Sequence, residues 1–260
     1  MLLTIDVGNT HITLGIYDGD NLIQSFRMAT DRDKTADEMG ITLLNLFKYS
    51  DIKKEDIKDV IISSVVPPIM YSLTHAIRKY LDIKPVVVTS DVKSELKIMY
   101  DNPKEVGADR IVNAIGAIKY YKAPMIIVDF GTATTFCVIN GKKEYLGGAI
   151  LPGIKISMSA LFEKTAKLPR IEITKPEKAI GTNTVDSMQS GVYYGYVGSV
   201  EYTVKKIKEE LGTDDVTVIA TGGLARMISE DSKSIDYIDS KLTLKGLKAI
   251  YDDMRGNEVE

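Results

Sequence analysis

The chain has 260 residues, 44% apolar and 27% charged, with a formal net charge of −3 and a pI near 5.6. That length fits one large domain or two of about 130 residues, with enough apolar material for a sizeable core. Both signs of charge are spread evenly, which argues against nucleic acid as the main partner, since binding its phosphate backbone calls for a basic face. One cysteine, Cys137, and two histidines, His11 and His75, exclude a disulfide framework and Cys/His zinc sites by count.

The chain opens "MLLTIDVGN", where Asp6 breaks the pattern of a charged head followed by an apolar run that an export leader needs. No apolar run approaches the ~18 residues that span a bilayer. The expectation is a soluble cytoplasmic protein with no membrane contact. "LLTIDVGNTHITLGIYDGDNL" (residues 2–22) reads as an apolar strand, Asp-x-Gly, hydroxyl residues, a second strand and a hairpin turn. The turn dipeptide, Asp18-Gly19, favours type I′ geometry. In "TADEMGITLLNLF", Thr35 is followed three residues on by Glu38, a capping box that opens an amphipathic helix. Residues 59–66 ("DVIISSVV") and 84–90 ("KPVVVTS") read as buried strands, with a helix near 70–81 between them. Residues 105–121 ("EVGADRIVNAIGAIKYY") read as a helix crossing into the second half.

There the opening pattern returns as "MIIVDFGTATTFCVINGKKEYL". Asp129 matches Asp6 and Gly131 matches Gly8, an offset of 129 − 6 = 123, while the turn Asn140-Gly141 departs from that offset by one residue. Cys137, in its second strand, reads as a small buried hydrophobe. A helical stretch runs from Thr182 to about Leu211, with Gly191, Gly195 and Gly198 three to four apart. That spacing suits close approach of another backbone, either at a dimer or interdomain face or within the helix's own domain. Within it, "KKIKEE" (205–210) reads as a solvated face. "DVTVIATGGLA" (215–225) reads as strand, glycine turn and helix, and the last 30 or so residues carry no motif. Two copies of one α/β unit, with a cleft between them, are expected.

A strand that ends in Asp-x-Gly before a hairpin presents backbone N–H groups, a glycine that lets a ligand approach, and hydroxyl donors. Such a turn cradles phosphate oxygens while its Asp holds a hydrated cation. The chain has neither a G-x-x-x-x-G-K-[ST] loop nor a G-x-G-x-x-G after a strand, so paired hairpins must grip any nucleotide. Asp6 and Asp129 could instead accept backbone hydrogen bonds that shape the turns. Charge favours cations, because two bare carboxylates facing a polyphosphate would repel it and no P-loop lysine offsets them. By offset, His11 matches Thr134, which makes it a polar loop contact rather than a base, and His75 lies in an ordinary helix.

The arrangement resembles the acetate kinase, sugar kinase, heat-shock chaperone and actin superfamily. "DVGNTHIT" is similar to its first phosphate loop, "DFGTATT" to its second and "ATGGLA" (220–225) to its adenosine loop. Three further stretches, "YDNPKEVGADR" (100–110), "GGAILPGI" (147–154) and "GTNTVDSMQSG" (181–191), resemble type III pantothenate kinase. The likeness runs from Leu3 to about Ala225, and Gly-Ala-Asp-Arg is its most specific element. It implies an α/β fold of two duplicated actin-like (ribonuclease H-like) domains, residues 1–118 and 119–260, with an interdomain nucleotide cleft. It further implies ATP-dependent phosphorylation of pantothenate to 4′-phosphopantothenate, which begins coenzyme A synthesis, by a homodimer.

Carried over, the resemblance has Asp6, Val7, Gly8, Asn9, Thr10, His11, Ile12 and Thr13 lining the ATP phosphates, with Asp6 near magnesium. Thr132 touches ATP from the facing loop, and Asp129 holds a monovalent cation, potassium or ammonium. Tyr100, Gly107, Ala108, Asp109, Arg110 and Thr184 match the pantothenate site, with Asp109 as general base. Physically, phosphoryl transfer needs an in-line hydroxyl and a carboxylate within about 3 Å to accept its proton. Arg110 would stay charged and could grip the substrate's carboxylate. Alone, Gly-Ala-Asp-Arg would read as a charged first turn of a helix; the two loops turn the reading towards a site. The competing functions are another small-molecule kinase of the superfamily and a non-catalytic regulatory relative.

Overall fold

A computed structural model describes residues 1–89 and 96–256. Ser90, the end of the second expected strand, lies outside the described residues. The chain divides into two compact units.

The first unit is built on a five-stranded sheet of order β3-β2-β1-β4-β5. Its strands are β1 (Leu2–Val7), β2 (His11–Asp18), β3 (Asn21–Ala29), β4 (Asp59–Ser64) and β5 (Val86–Val87). β1, β2 and β3 pair antiparallel, while β4 joins β1 and β5 joins β4 in parallel. Its helices are α1 (Ala36–Tyr49), α2 (Pro67–Leu81) and α3 (Ala108–Tyr120), together with α7 (Leu242–Gly256) from the far end of the chain. α1 opens on the expected capping box, with Thr35 N–H donating to Glu38 Oε2 at 2.8 Å and Glu38 N–H donating back to Thr35 Oγ1 at 3.3 Å. β4 stops at Ser64 rather than residue 66. The Ser64 hydroxyl accepts from Val66 N–H at 3.0 Å and bends the chain into α2, whose first residues are prolines.

The second unit repeats the plan. Its sheet runs β10-β9-β6-β7-β8, the first order read backwards with each strand replaced by its counterpart. The strands are β6 (Met125–Phe130), β7 (Ala133–Ile139), β8 (Tyr145–Pro152), β9 (Thr217–Gly222) and β10 (Tyr237–Ile238). Its helices are α4 (Ile154–Glu163), α5 (Thr184–Leu211) and α6 (Ala225–Ser229). The duplication inferred from the two Asp-x-Gly stretches is therefore one of whole sheets.

Described residues 1–89, 101–119 and 242–256 form the first unit, and 96–100 with 120–241 form the second. The boundary is thus not a single cut between 118 and 119. Residues 96–100 join the second unit because Met99 N–H donates to the Tyr145 carbonyl and Tyr145 N–H to the Lys97 carbonyl, both at 2.8 Å. α7 joins the first because Leu242, Leu244, Leu247 and Ile250 are buried there. A Cβ added to Gly246 would sit 2.1 Å from the Val112 carbonyl oxygen, and one on Gly116 would sit 3.0 Å from Gly246 Cα. α3 and α7 therefore cross backbone to backbone, which only glycine permits. Tyr251 Oη and Arg255 Nη2 then reach Asp59 at 2.6 and 2.8 Å, tying α7 to the start of β4.

Both hairpins differ from the expected type I′ turns. A register shift between Ile16 and Tyr17 moves the first turn to Gly19-Asp20, flanked by the pair Asp18 and Asn21. Only Gly19 there has positive φ (55°), whereas type I′ needs it at both centre residues. At the second, Lys143 N–H donates to the Asn140 carbonyl at 2.9 Å and Lys143 itself takes φ 62°. The left-handed residue thus follows the turn instead of forming its centre. No helix among the described residues is long and apolar enough to cross a membrane.

Candidate active site

The two matched aspartates occupy the same place in their sheets. Asp6 lies in register with Thr13 on β2 and Ser63 on β4. Asp129 lies in register with Thr135 on β7 and Thr221 on β9. Paired residues project to the same face, so each carboxylate is flanked by two hydroxyls. In the first unit that face carries α7, because the opposite face holds Leu3, Ile5, Val7, Val60 and Ile62 in the core under α1 and α2.

Each strand then turns. Gly8 N–H donates to the His11 carbonyl at 3.0 Å, and Gly131 N–H donates to the Ala133 carbonyl at 3.1 Å. His11 therefore corresponds to Ala133, not to Thr134. The second loop is one residue shorter, and the constant offset fails inside the loop itself. Asn9 and Thr10 are exposed at the tip of the first loop. Two residues not singled out in the sequence brace it. Thr30 Oγ1 donates to the Gly8 carbonyl at 2.6 Å, its N–H donates to the Thr10 carbonyl at 3.0 Å, and Arg32 Nη2 donates to Asn9 Oδ1 at 3.2 Å. Their only signal was a polar, charged link directly after the third strand.

The second loop is held from two sides. Gly153 N–H, just before α4, donates to the Thr132 carbonyl at 3.2 Å, and a Cβ at Gly153 would lie 2.1 Å from that oxygen. Tyr196 Oη on α5 bonds Thr134 Oγ1 and donates to the Pro152 carbonyl at 3.0 Å; burial pushes its phenol up. Gly222, in the stretch similar to an adenosine loop, has φ 92°, and a Cβ there would lie 2.6 Å from Asp129 Oδ1. The glycine turn and the aspartate share one cradle.

Asp109 stands in the first turn of α3, where the Gly107 carbonyl accepts from Arg110 N–H at 3.0 Å and Ile111 N–H at 3.2 Å. Its Oδ1 accepts from Arg110 N–H at 2.8 Å. A Cβ at Gly107 would lie 2.6 Å from that Oδ1 and 3.7 Å from Val65 Cγ1, and Val65 N–H donates to the Val7 carbonyl at 3.1 Å. The carboxylate thus sits beside the end of β1 from which the first loop emerges. Burial pushes its carboxyl above the ordinary carboxylate value, against the pull of the Arg110 N–H and guanidinium. Arg110 is only 8% exposed, so its charge is held inside the unit.

The other expected substrate residues belong to the second unit. The Tyr100 ring packs tilted on Tyr145, 6.4 Å between centroids, over the glycine at position 147, whose φ is 129°. Thr184 is the exposed first residue of α5, behind its N-cap Asn183, whose Oδ1 accepts from Asp186 N–H at 3.0 Å.

Among the described residues, no cluster of three or more His, Cys, Asp or Glu could hold a metal unaided. Magnesium takes one or two carboxylates and completes its shell with water and phosphate, so Asp6 is the residue of the first loop that could hold it. Asp129 with Thr135 and Thr221 offers hard oxygen donors suited to a monovalent cation.

Duplicated five-stranded units, each with an Asp-x-Gly hairpin, define a protein of the actin-like ATPase and sugar kinase fold. The family model of type III pantothenate kinase matches residues 2–206, and the chain belongs to that family. It is accordingly a kinase, a nucleotide-binding transferase of a family serving coenzyme A synthesis. Among solved structures, one described as a Baf-family transcriptional activator from Campylobacter jejuni is similar at 18% identity and a TM-score of 0.63, covering 98% of this chain and 99% of its own. One described as a 2-dehydro-3-deoxygalactonokinase from Sinorhizobium meliloti gives 11% identity and 0.63, over 98% and 97%. The activator of 2-hydroxyisocaproyl-CoA dehydratase from Clostridium difficile, with bound ADPNP, gives 14% and 0.57, over 100% and 97%. At these identities the likeness is one of fold.

Proposed function

We propose that the protein transfers the γ-phosphoryl group of ATP to the 4′-hydroxyl of pantothenate. The observation that carries this is the placement of Asp109, a half-buried carboxylate with raised proton affinity beside the strand end that bears the first loop. A base with its pKa lifted towards working pH takes a hydroxyl proton more readily than an ordinary surface carboxylate. The backbone N–H groups and hydroxyls of residues 6–13, held by Thr30 and Arg32, bind ATP phosphates, and Thr132 contacts ATP from the second loop. Gly107, Ala108 and Arg110, with Tyr100 and Thr184, bind pantothenate, Arg110 receiving its carboxylate. Asp6 would hold magnesium, and Asp129 potassium or ammonium. Bound there, these ions would neutralise phosphate charge. ADP release should require pantothenate and rise severalfold with potassium. Equal release with a sugar, or none with pantothenate in folded protein, would overturn the assignment.

We further infer a homodimer working in the cytoplasm. On α5, a Cβ added at Gly191, Gly195 or Gly198 meets no described atom within 4 Å, so packing inside the chain does not require these glycines. Tyr202, on the same stripe, is 64% exposed. On an uncovered helix, Gly195→Ala would raise stability by up to about 1 kcal/mol. Beneath a partner's backbone it lowers it. Light scattering and melting at two protein concentrations should show the variant dissociating; a stabilised variant of unchanged mass would refute the dimer face.

A further inference from the structure

The two units differ at one buried position beside their loops. In the first, Val7 lies in register with Ile12, which belongs to the apolar core. In the second, the same place pairs Phe130 with Thr134, whose side chain is just as buried, at 1% exposure. A hairpin of this plan therefore folds with an apolar side chain there, and a hydroxyl is unfavourable unless bonded. Tyr196 bonds it. Its ring packs tilted on Phe130, 6.5 Å between centroids, and its Oη reaches both Thr134 Oγ1 and the Pro152 carbonyl, the latter at 3.0 Å. A carbonyl only accepts and a phenol has one proton, so the Thr134 hydroxyl donates to Tyr196 and Tyr196 to Pro152. Burial raises the phenol's pKa and keeps that proton in place. Pro152 directly precedes Gly153, whose N–H holds the Thr132 carbonyl at 3.2 Å. Thr132 thus lies between two anchors of one phenol, Thr134 along the chain and the 152–153 link beside it.

We propose that Tyr196 is a positioning residue for the second phosphate loop, its hydroxyl fixing, through Thr134 and Pro152, the place from which Thr132 meets ATP. This rests on the proposed contact of Thr132 with ATP. A loop already held in its binding shape loses less freedom when the nucleotide arrives. Consecutive buried hydrogen bonds polarise one another, so the two bonds act as one brace. The first loop has its own brace in Thr30 and Arg32, which is why Ile12 needs no hydroxyl.

The test separates positioning from packing. With magnesium and a non-hydrolysable ATP analogue as the probe, calorimetric titration of Tyr196→Phe should show affinity about tenfold weaker. KM for ATP should rise by about the same factor, while KM for pantothenate stays within twofold. The melting temperature should fall, because the buried Thr134 hydroxyl loses its partner. Adding Thr134→Val, which gives the second unit an apolar side chain as in the first, removes that orphaned group. The double variant should melt close to the parent and still bind the analogue weakly. The inference is overturned if Tyr196→Phe binds within twofold of the parent, if KM rises equally for both substrates, or if the double variant regains affinity together with its melting temperature. A parent that binds no analogue would instead overturn the ATP reading itself.

Discussion

Asp109→Asn is expected to lower kcat by about 10²- to 10⁴-fold, the usual contribution of a positioned general base, the role proposed for Asp109. The replacement keeps the shape and the oxygen that accepts from Arg110 N–H at 2.8 Å, so α3 still starts at the same place. It removes only the ability to take a proton. Stability should move the other way. Burial raises the Asp109 pKa above 3.8, so its protonated form favours the fold; that stability is fully present below 3.8 and is lost as pH rises through the raised value. At neutral pH the ionised carboxylate is a burden that asparagine lacks, so the variant melts no lower than the parent, and its advantage disappears in acid. In the parent, kcat/KM should rise with pH through that same raised value, because the proposed base must be ionised. Near-normal turnover by the variant, or a limb at the ordinary carboxylate value, would show that another group takes the proton.

Gly222→Ala should cost about 2–6 kcal/mol of stability and remove the response to potassium. Two terms add. A residue other than glycine at φ 92° is strained by roughly 1–3 kcal/mol. The new Cβ would also lie 2.6 Å from Asp129 Oδ1 and 2.7 Å from the Phe130 backbone, contacts relieved only by moving β6, at about 1–3 kcal/mol more. Displacing Asp129 takes away the carboxylate proposed for the monovalent cation. Thermal unfolding measures the first effect, and turnover with and without potassium the second. A variant that melts with the parent and still responds to potassium would remove Asp129 from that role.

The repeated Asp-x-Gly was legible because strand, acid, glycine and hydroxyl fall in the same order twice, and the sheets follow it strand for strand. Local signals such as Thr35 with Glu38 were equally plain, since both partners lie within one turn. What escaped reading depends on contacts distant in sequence. The leucines of α7 announce an amphipathic helix without naming its partner; the pairing of Gly116 with Gly246 decides that, 130 residues apart by number (246 − 116 = 130). The turn at Gly19 moved because a bulge upstream at Ile16 shifted the register, which no turn dipeptide records. His11 was matched to the wrong residue because the shortened loop absorbs the length difference. At the candidate site the sequence named Asp6, Asp129 and Asp109, yet neither the burial that shifts Asp109 nor the bond between Tyr196 and Thr134 can be read from spacing.

Helix α7 lies on the first unit's strands, and the whole of the second unit falls between them in sequence. A ribosome reads from the N-terminus, so β1, β2 and β4 wait with one face bare until residue 250 or so has left the exit tunnel. The later-made unit, whose elements are nearly contiguous, is finished first. Assembly order should thus invert reading order, with the unit that carries Asp6 and Asp109 completed last.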